Sequence, residues 1–227
     1  MQAGSGSGAW GRYARRRRLL YRLVTRLLAP VAWWGRLRVE GEGTVPKAGS
    51  LLLVPNHDSQ WDPVIVALAL RRRRQLRFLA RANLWKIPGL GPLLHRLGQI
   101  PIERGAADAP ALEAATEALG AGEAICVFPE GRLSRGERLR ARSGVGRLAS
   151  WCPGVTVVLC AVTSTTDFAR FPRRPRISVS FFLPGGGQPR PDEAAAELAT
   201  RLLDEIREGV PPVPAGRRHR EAAASVG

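Results

Sequence analysis

The run Leu51-Leu52-Leu53-Val54-Pro55 is apolar without a break and passes directly into Asn56-His57-Asp58-Ser59-Gln60-Trp61-Asp62-Pro63. A short unbroken apolar segment bounded by turn residues reads as a buried strand, and such a strand needs covering layers. The pattern recurs: Gln99 to Ile102 leads into Glu103 and Arg104, and Ala124 to Phe128 into Pro129, Glu130 and Gly131. Further strand patterns lie at Leu37 to Glu40, Leu76 to Ala80, Val155 to Val162 and Arg176 to Phe182. Helical patterns cover Pro63 to Leu70, an interrupted stretch from Leu84 to Leu97, Ala109 to Leu119, Val145 to Ser150 and Asp192 to Arg207. Alternating strands and helices predict a single layered α/β domain. Its mostly parallel or mixed central sheet is flanked by helices, with functional residues at strand ends.

Ahead of the domain, Arg12 to Ala29 carries Leu19, Leu20, Leu23, Val24, Leu27, Leu28 and Val31 at helical spacing, against Arg18, Arg22, Thr25 and Arg26. Pro30 ends or kinks this helix, and Trp33-Trp34 follow. A Leu face, an Arg face and terminal Trp residues suit a helix lying in an anionic membrane interface. Packing of the Leu face on the domain is the alternative, and the two can coexist. No run reaches the roughly 18 apolar residues of a regular spanning helix. The expected organisation is a flexible leader and amphipathic helix over 1–35, the α/β domain over 36–208, and a basic mobile tail over 209–227.

Lys and Arg number 35 against 19 Asp and Glu, for a formal charge of +16. Such a surface favours anionic partners: lipid head groups, phosphates or nucleic acid. The basic runs lack interleaved aromatics and any nucleic-acid-binding motif, so no nucleic acid is the expected partner and a basic nucleic-acid-binding module ranks as the lesser alternative. Cys126, Cys152 and Cys160 form no Cys-x-x-Cys pair and have no nearby histidines, which predicts buried thiols and no metal. His95, in an apolar segment, reads as structural, and Arg71 to Arg74, past a helix end, as a solvated face.

Three polar blocks stand in order: Asn56-His57 with Asp62 five positions after the histidine, Gly98-Gln99-Ile100 with Arg104, and Phe128-Pro129-Glu130-Gly131-Arg132-Leu133-Ser134. They resemble the glycerolipid acyltransferases, specifically the 1-acylglycerol-3-phosphate acyltransferases, over roughly Leu37 to Leu183. The family carries Asn-His-x4-Asp, Gly-x-Ile-x-x-x-Arg and Phe-Pro-Glu-Gly-Thr-Arg-Ser. The first block matches fully, and Arg104 falls on the family's phosphate-contacting arginine. The third departs, with Arg132 where the family has Thr and Leu133 where it has Arg. Arg142-Ser143-Gly144 resembles a Lys-x-Gly element, and the late strand lacks the family's proline.

The resemblance implies transfer of a fatty acyl group from acyl-CoA or acyl carrier protein to the sn-2 hydroxyl of 1-acylglycerol-3-phosphate. Another lipid acceptor, a lyso-ornithine lipid or a glycolipid, is the alternative raised by the altered third block. It implies no cofactor or metal, and peripheral or monotopic association with the cytoplasmic face of the cell membrane. His57 is the expected general base and Asp62 its orienting partner. Asn56, Ser59, Arg104, Glu130, Gly131, Arg132, Ser134 and Arg142 are the expected substrate-binding residues, with Arg104 and Glu130-Gly131 meeting the acceptor's glycerol phosphate. Arg132 either replaces the missing arginine by a one-residue shift or points into solvent. Residues five apart on one helix lie about 140° apart, so His57 and Asp62 meet only across a turn. Taken alone, Asp62 before Pro63 is adequately read as a helix N-cap.

Overall fold

The computed structural model describes residues 6–103 and 109–214. Its strands are β1 (Arg38–Glu40), β2 (Leu51–Pro55), β3 (Leu76–Arg81), β4 (Ile100–Ile102), β5 (Ala124–Cys126), β6 (Thr156–Thr163) and β7 (Ser178–Phe182). They form one mixed sheet in the order β1-β7-β6-β2-β5-β3-β4. Every neighbouring pair is parallel except β6 with β7. The helices are α1 (Gly6–Leu27), α2 (Ala29–Trp34), α3 (Asp62–Ala69), α4 (Leu90–Arg96), α5 (Ala109–Gly120), α6 (Gly144–Trp151) and α7 (Ala195–Gly209).

All five residues of β2 are buried, because helices cover the sheet on both faces. Alternate β2 residues enter opposite cores. Leu52 and Val54 meet Leu112 and Ala115 of α5, Leu148 of α6, and Leu198 and Leu202 of α7. Leu51 and Leu53 join Ile65 and Val66 of α3 and Ala32 of α2. The α6–α7 contact is close: a Cβ on Gly146 would lie 1.9 Å from the Ala195 carbonyl oxygen. The three cysteines are buried and free, and burial pushes their thiols up from the ordinary value.

The sequence expectation for the N-terminal helix changes in two ways. Helix α1 begins at Gly6, inside the expected leader, and the break before Pro30 falls at Leu28. Its inward face is partly polar: Tyr21 and Thr25 are buried, while Leu20, Val24 and Leu28 are half-buried. Leu19, Leu23 and Leu27 remain 54–70% exposed, with Trp33 exposed beyond them. One part of the Leu face packs and the other faces outward. Among the described residues no helix is long and apolar enough to cross a membrane.

Two further expectations are corrected. His95 is exposed rather than packed. The Arg71 to Arg74 run is not simply a solvated face. Arg73 donates to the carbonyls of Val45 and Gly43, and Arg74 to those of Pro46, Gly49 and Gly122. The basic tail beyond residue 214 lies outside the described residues.

Candidate active site

Three adjacent central strands, β6, β2 and β5, deliver their C-terminal ends to one place. In open α/β sheets this edge is where ligands bind. Strand β2 ends at Pro55 and hands His57 to the rim. The chain after β5 supplies Phe128 and Glu130, and the chain after β6 supplies Thr165.

His57 Nδ1 lies 3.1 Å from Asp62 Oδ2. The pair meets across a turn. The same Oδ2 accepts the main-chain N–H groups of Asp58 and Ser59, each at 2.8 Å. Thr165 Oγ1 donates to the other oxygen, Oδ1. A fully buried carboxylate collecting these donors acts as the acceptor of the pair. His57 Nδ1 therefore carries the hydrogen, leaving Nε2 as the acceptor nitrogen. The ring stacks on Phe128 with centroids 4.1 Å apart. Asp62 is thus no N-cap: Trp61 holds that position, no side chain caps the helix, and Asp62 is its first residue. Pro63 behind it has no N–H to satisfy.

A second buried network supports the first. The His57 N–H donates to Glu130 Oε2 at 2.6 Å, and Arg207 Nε of α7 donates to Glu130 Oε1 at 2.8 Å. Arg207 Nη1 and Nη2 also clasp Asp58 Oδ2 and Oδ1, each at 2.9 Å. Burial pushes the Glu130 carboxyl above its ordinary value, Arg207 offsets part of that, and the nearby Asp58 charge adds to it. Burial pulls the Arg207 guanidinium down, but its bonds to Asp58 and Glu130 outweigh this and hold it above its ordinary value. Ser134 closes the network: its hydroxyl donates to Asp58 Oδ1 and its N–H to the His57 carbonyl.

The expected site residues therefore divide. Asn56 is fully buried, its amide clamped to the N–H and carbonyl of Val162 on β6, at 2.7 and 2.9 Å. Glu130 and Ser134 are buried in the same way. The polar atoms of all three are engaged within the protein, where they brace the segment that carries His57. Ser59 shapes the turn, its N–H on Asp62 and its hydroxyl accepting from Trp61 N at 3.2 Å. Arg132 is half exposed and lies 3.5 Å from Glu137, which is also exposed.

Gly131 has φ +65°, and a Cβ there would lie 2.6 Å from Cδ and Nε of Arg142. Glycine lets the Arg142 side chain lie across the loop. A cavity of about 460 Å³ opens here, lined by Arg132, Arg138, Arg140 and Arg142 and by the acids Glu130 and Glu137. Arg104 lies outside the described residues. It follows β4, an edge strand three places from β2, or about 14 Å across the sheet. Among the described residues no group of three or more His, Cys, Asp or Glu could hold a metal ion.

Sequence reasoning missed Asp58, Thr165 and Arg207. Arg207 had a signal, for it continues the row Ala199, Leu203 on the apolar face of α7, where an arginine needs partners. Thr165 stands in Ser164-Thr165-Thr166-Asp167, a polar cluster directly after an apolar strand, the same grammar as the three blocks.

The family described as Acyltransferase matches residues 36–163. A lyso-ornithine lipid O-acyltransferase of Pseudomonas aeruginosa is 32% identical over 154 residues, covering 67% of this chain and 56% of that protein. An uncharacterized protein of Mycobacterium leprae is 26% identical over 147 residues, covering 59% of this chain and 38% of that protein. The chain thus spans about half or less of these curated relatives. The crystal structure of the 1-acyl-sn-glycerophosphate acyltransferase PlsC from Thermotoga maritima shares the fold. Its TM-score is 0.63 at 23% identity, covering 86% of this chain and 78% of that one.

Proposed function

The chain belongs to the Acyltransferase family, and from that premise we propose that it acylates the sn-2 hydroxyl of 1-acylglycerol-3-phosphate, giving phosphatidate. The donor is acyl-CoA or acyl carrier protein. The observation that carries the reading is the His57–Asp62 pair, 3.1 Å apart at the C-terminal edge of the central strand. The acceptor hydroxyl oxygen attacks the thioester carbonyl carbon while its proton passes to His57 Nε2. Asp62 holds the tautomer that makes this possible and stabilises the imidazolium that results. Collapse of the tetrahedral intermediate breaks the C–S bond, and the departing thiolate takes the proton from the imidazolium. The step balances without a protein nucleophile, a metal or a redox cofactor.

The cavity walled by Arg132, Arg138, Arg140 and Arg142 supports an anionic acceptor, since guanidinium groups recognise phosphate with paired hydrogen bonds. Arg104 completes that reading as a second phosphate contact. The outward Leu19, Leu23, Leu27 and Trp33 support interfacial binding at the cytoplasmic face, where an acceptor lipid is presented. A second acceptor is favoured by one observation. Arg132-Leu133 replaces the expected Thr-Arg pair, and the Pseudomonas aeruginosa relative is named for a lyso-ornithine lipid. The test offers purified protein an acyl-CoA or an acyl carrier protein thioester with either lipid. Phosphatidate formation is expected; acylation of lyso-ornithine lipid alone would move the acceptor, and no transfer to any lysolipid from either donor would end the reading.

A further inference from the structure

At the opposite edge of the sheet, where β2, β3 and β5 begin, a groove of about 830 Å³ opens between α1 and the segments before these strands. It is separated from His57 by the length of β2, about 17 Å. Ten of its lining residues are Arg or Lys, and Glu123 is the one acid among them. Arg17 and Arg77 already neutralise that acid. Burial pushes the Glu123 carboxyl up, but the hydrogen bonds from these two arginines outweigh it and hold it below the ordinary value. The remaining positive charge has no counter-charge in the groove.

Two donors in the lining are unpaired. Arg17 Nε and Gln75 Nε2 are buried without a hydrogen-bond partner among the described residues, and the Arg17 side chain is only 10% exposed. A buried N–H without an acceptor is costly, and an anionic oxygen removes that cost. The floor is rigid, because Arg74 is tied to the carbonyls of Gly49 and Gly122. Burial first, and the charge of Arg18 second, push the Arg74 guanidinium below its ordinary value, and the Glu123 charge offsets part of this.

We propose that this groove is a second binding site, separate from the catalytic edge, for a ligand bearing more than one phosphate charge. Arg18, Arg71 and Arg72 are the recognition residues, since they line the groove and make no ion pair among the described residues. The space exceeds what one carboxylate fills, and guanidinium forks match phosphate oxygens. A soluble polyphosphate ester and anionic lipid head groups both present this chemistry. The lipid source has a structural reason: Arg22 and Arg26 of the groove lie beside the outward Leu19 and Leu23 on α1.

The experiment uses the full chain with two probes: sodium pyrophosphate in calorimetry, and flotation with phosphatidylcholine vesicles with or without phosphatidylglycerol. R18Q/R71Q/R72Q is compared with R173Q/R176Q/R190Q, which removes three exposed charges elsewhere. The site predicts that binding to at least one probe falls about tenfold or more in the first variant, and stays near wild type in the second. Loss with pyrophosphate identifies a soluble phosphate; loss only with phosphatidylglycerol vesicles identifies head groups. Equal loss in the two variants, or no binding of wild type to either probe, overturns the site. Should the first variant fail to fold, hydrogen exchange on the unaltered protein decides. The bound probe must slow exchange in α1 and 71–77, and protection confined to 131–142 overturns the site.

Discussion

Replacing Arg207 with methionine removes a guanidinium that bonds both Asp58 and Glu130 in the buried network. The side chains of all three are at most 1% exposed, so water does not replace the lost partner. Breaking a buried ion pair on one side costs about 3–5 kcal/mol. A domain of this kind has about 5–15 kcal/mol in total, so the loss is a large fraction of its stability. At a urea dependence of about 2 kcal/mol per molar, the unfolding midpoint falls by about 2 M. The pH dependence has a definite sign. Glu130 is held above its ordinary carboxyl value by burial, so its contribution is full below the ordinary carboxyl range and is lost as pH rises through the raised value. Without Arg207 it rises further, and the deficit against wild type is largest near neutral pH and shrinks on acidification. Adding Asp58→Asn and Glu130→Gln to the variant recovers much of the loss, because a glutamine oxygen still accepts from the His57 N–H. Urea titrations between pH 5 and 8 make the check. A loss under about 1 kcal/mol at pH 7, or a deficit that grows on acidification, refutes the reasoning.

Thr165→Val deprives Asp62 Oδ1 of its hydroxyl donor, and acyl transfer is expected to slow about tenfold with KM little changed, read in steady-state kinetics. Gly146→Ala places a Cβ 1.9 Å from the Ala195 carbonyl oxygen and forces α6 from α7; calorimetry should show a loss of about 1–3 kcal/mol. Leu19→Glu with Leu23→Glu charges the outward stripe of α1, so vesicle flotation falls while transfer to a detergent-dispersed acceptor persists.

What the sequence made legible was local. Five apolar residues ending in Pro55, and Asp62 set before Pro63, place a strand, a turn and a helix start within a dozen positions. The His57–Asp62 contact follows because only a turn lets that spacing close. The long-range partners were not legible: Arg207 is 149 positions from Asp58, and helical periodicity says only that it lies on the apolar face of α7. Helical spacing likewise found the Leu arc of α1 without saying which part meets the domain. Tyr21 and Thr25 decide that, because they pack inward and turn Leu19, Leu23 and Leu27 out. Glu130 and Ser134 were placed at the right end of the sheet, but not their buried partners. Glu130 accepts from the His57 N–H and from Arg207 of α7, and Ser134 donates to Asp58.

The central claim is that His57 takes the acceptor's proton. Its direct measurement is the rate of acyl transfer by His57→Ala against wild type, at saturating donor and acceptor, with the circular dichroism of both recorded. Loss of a general base predicts a rate lower by about 10²–10⁴-fold with an unchanged spectrum. A variant that keeps its fold and more than about a tenth of the wild-type rate would contradict the account.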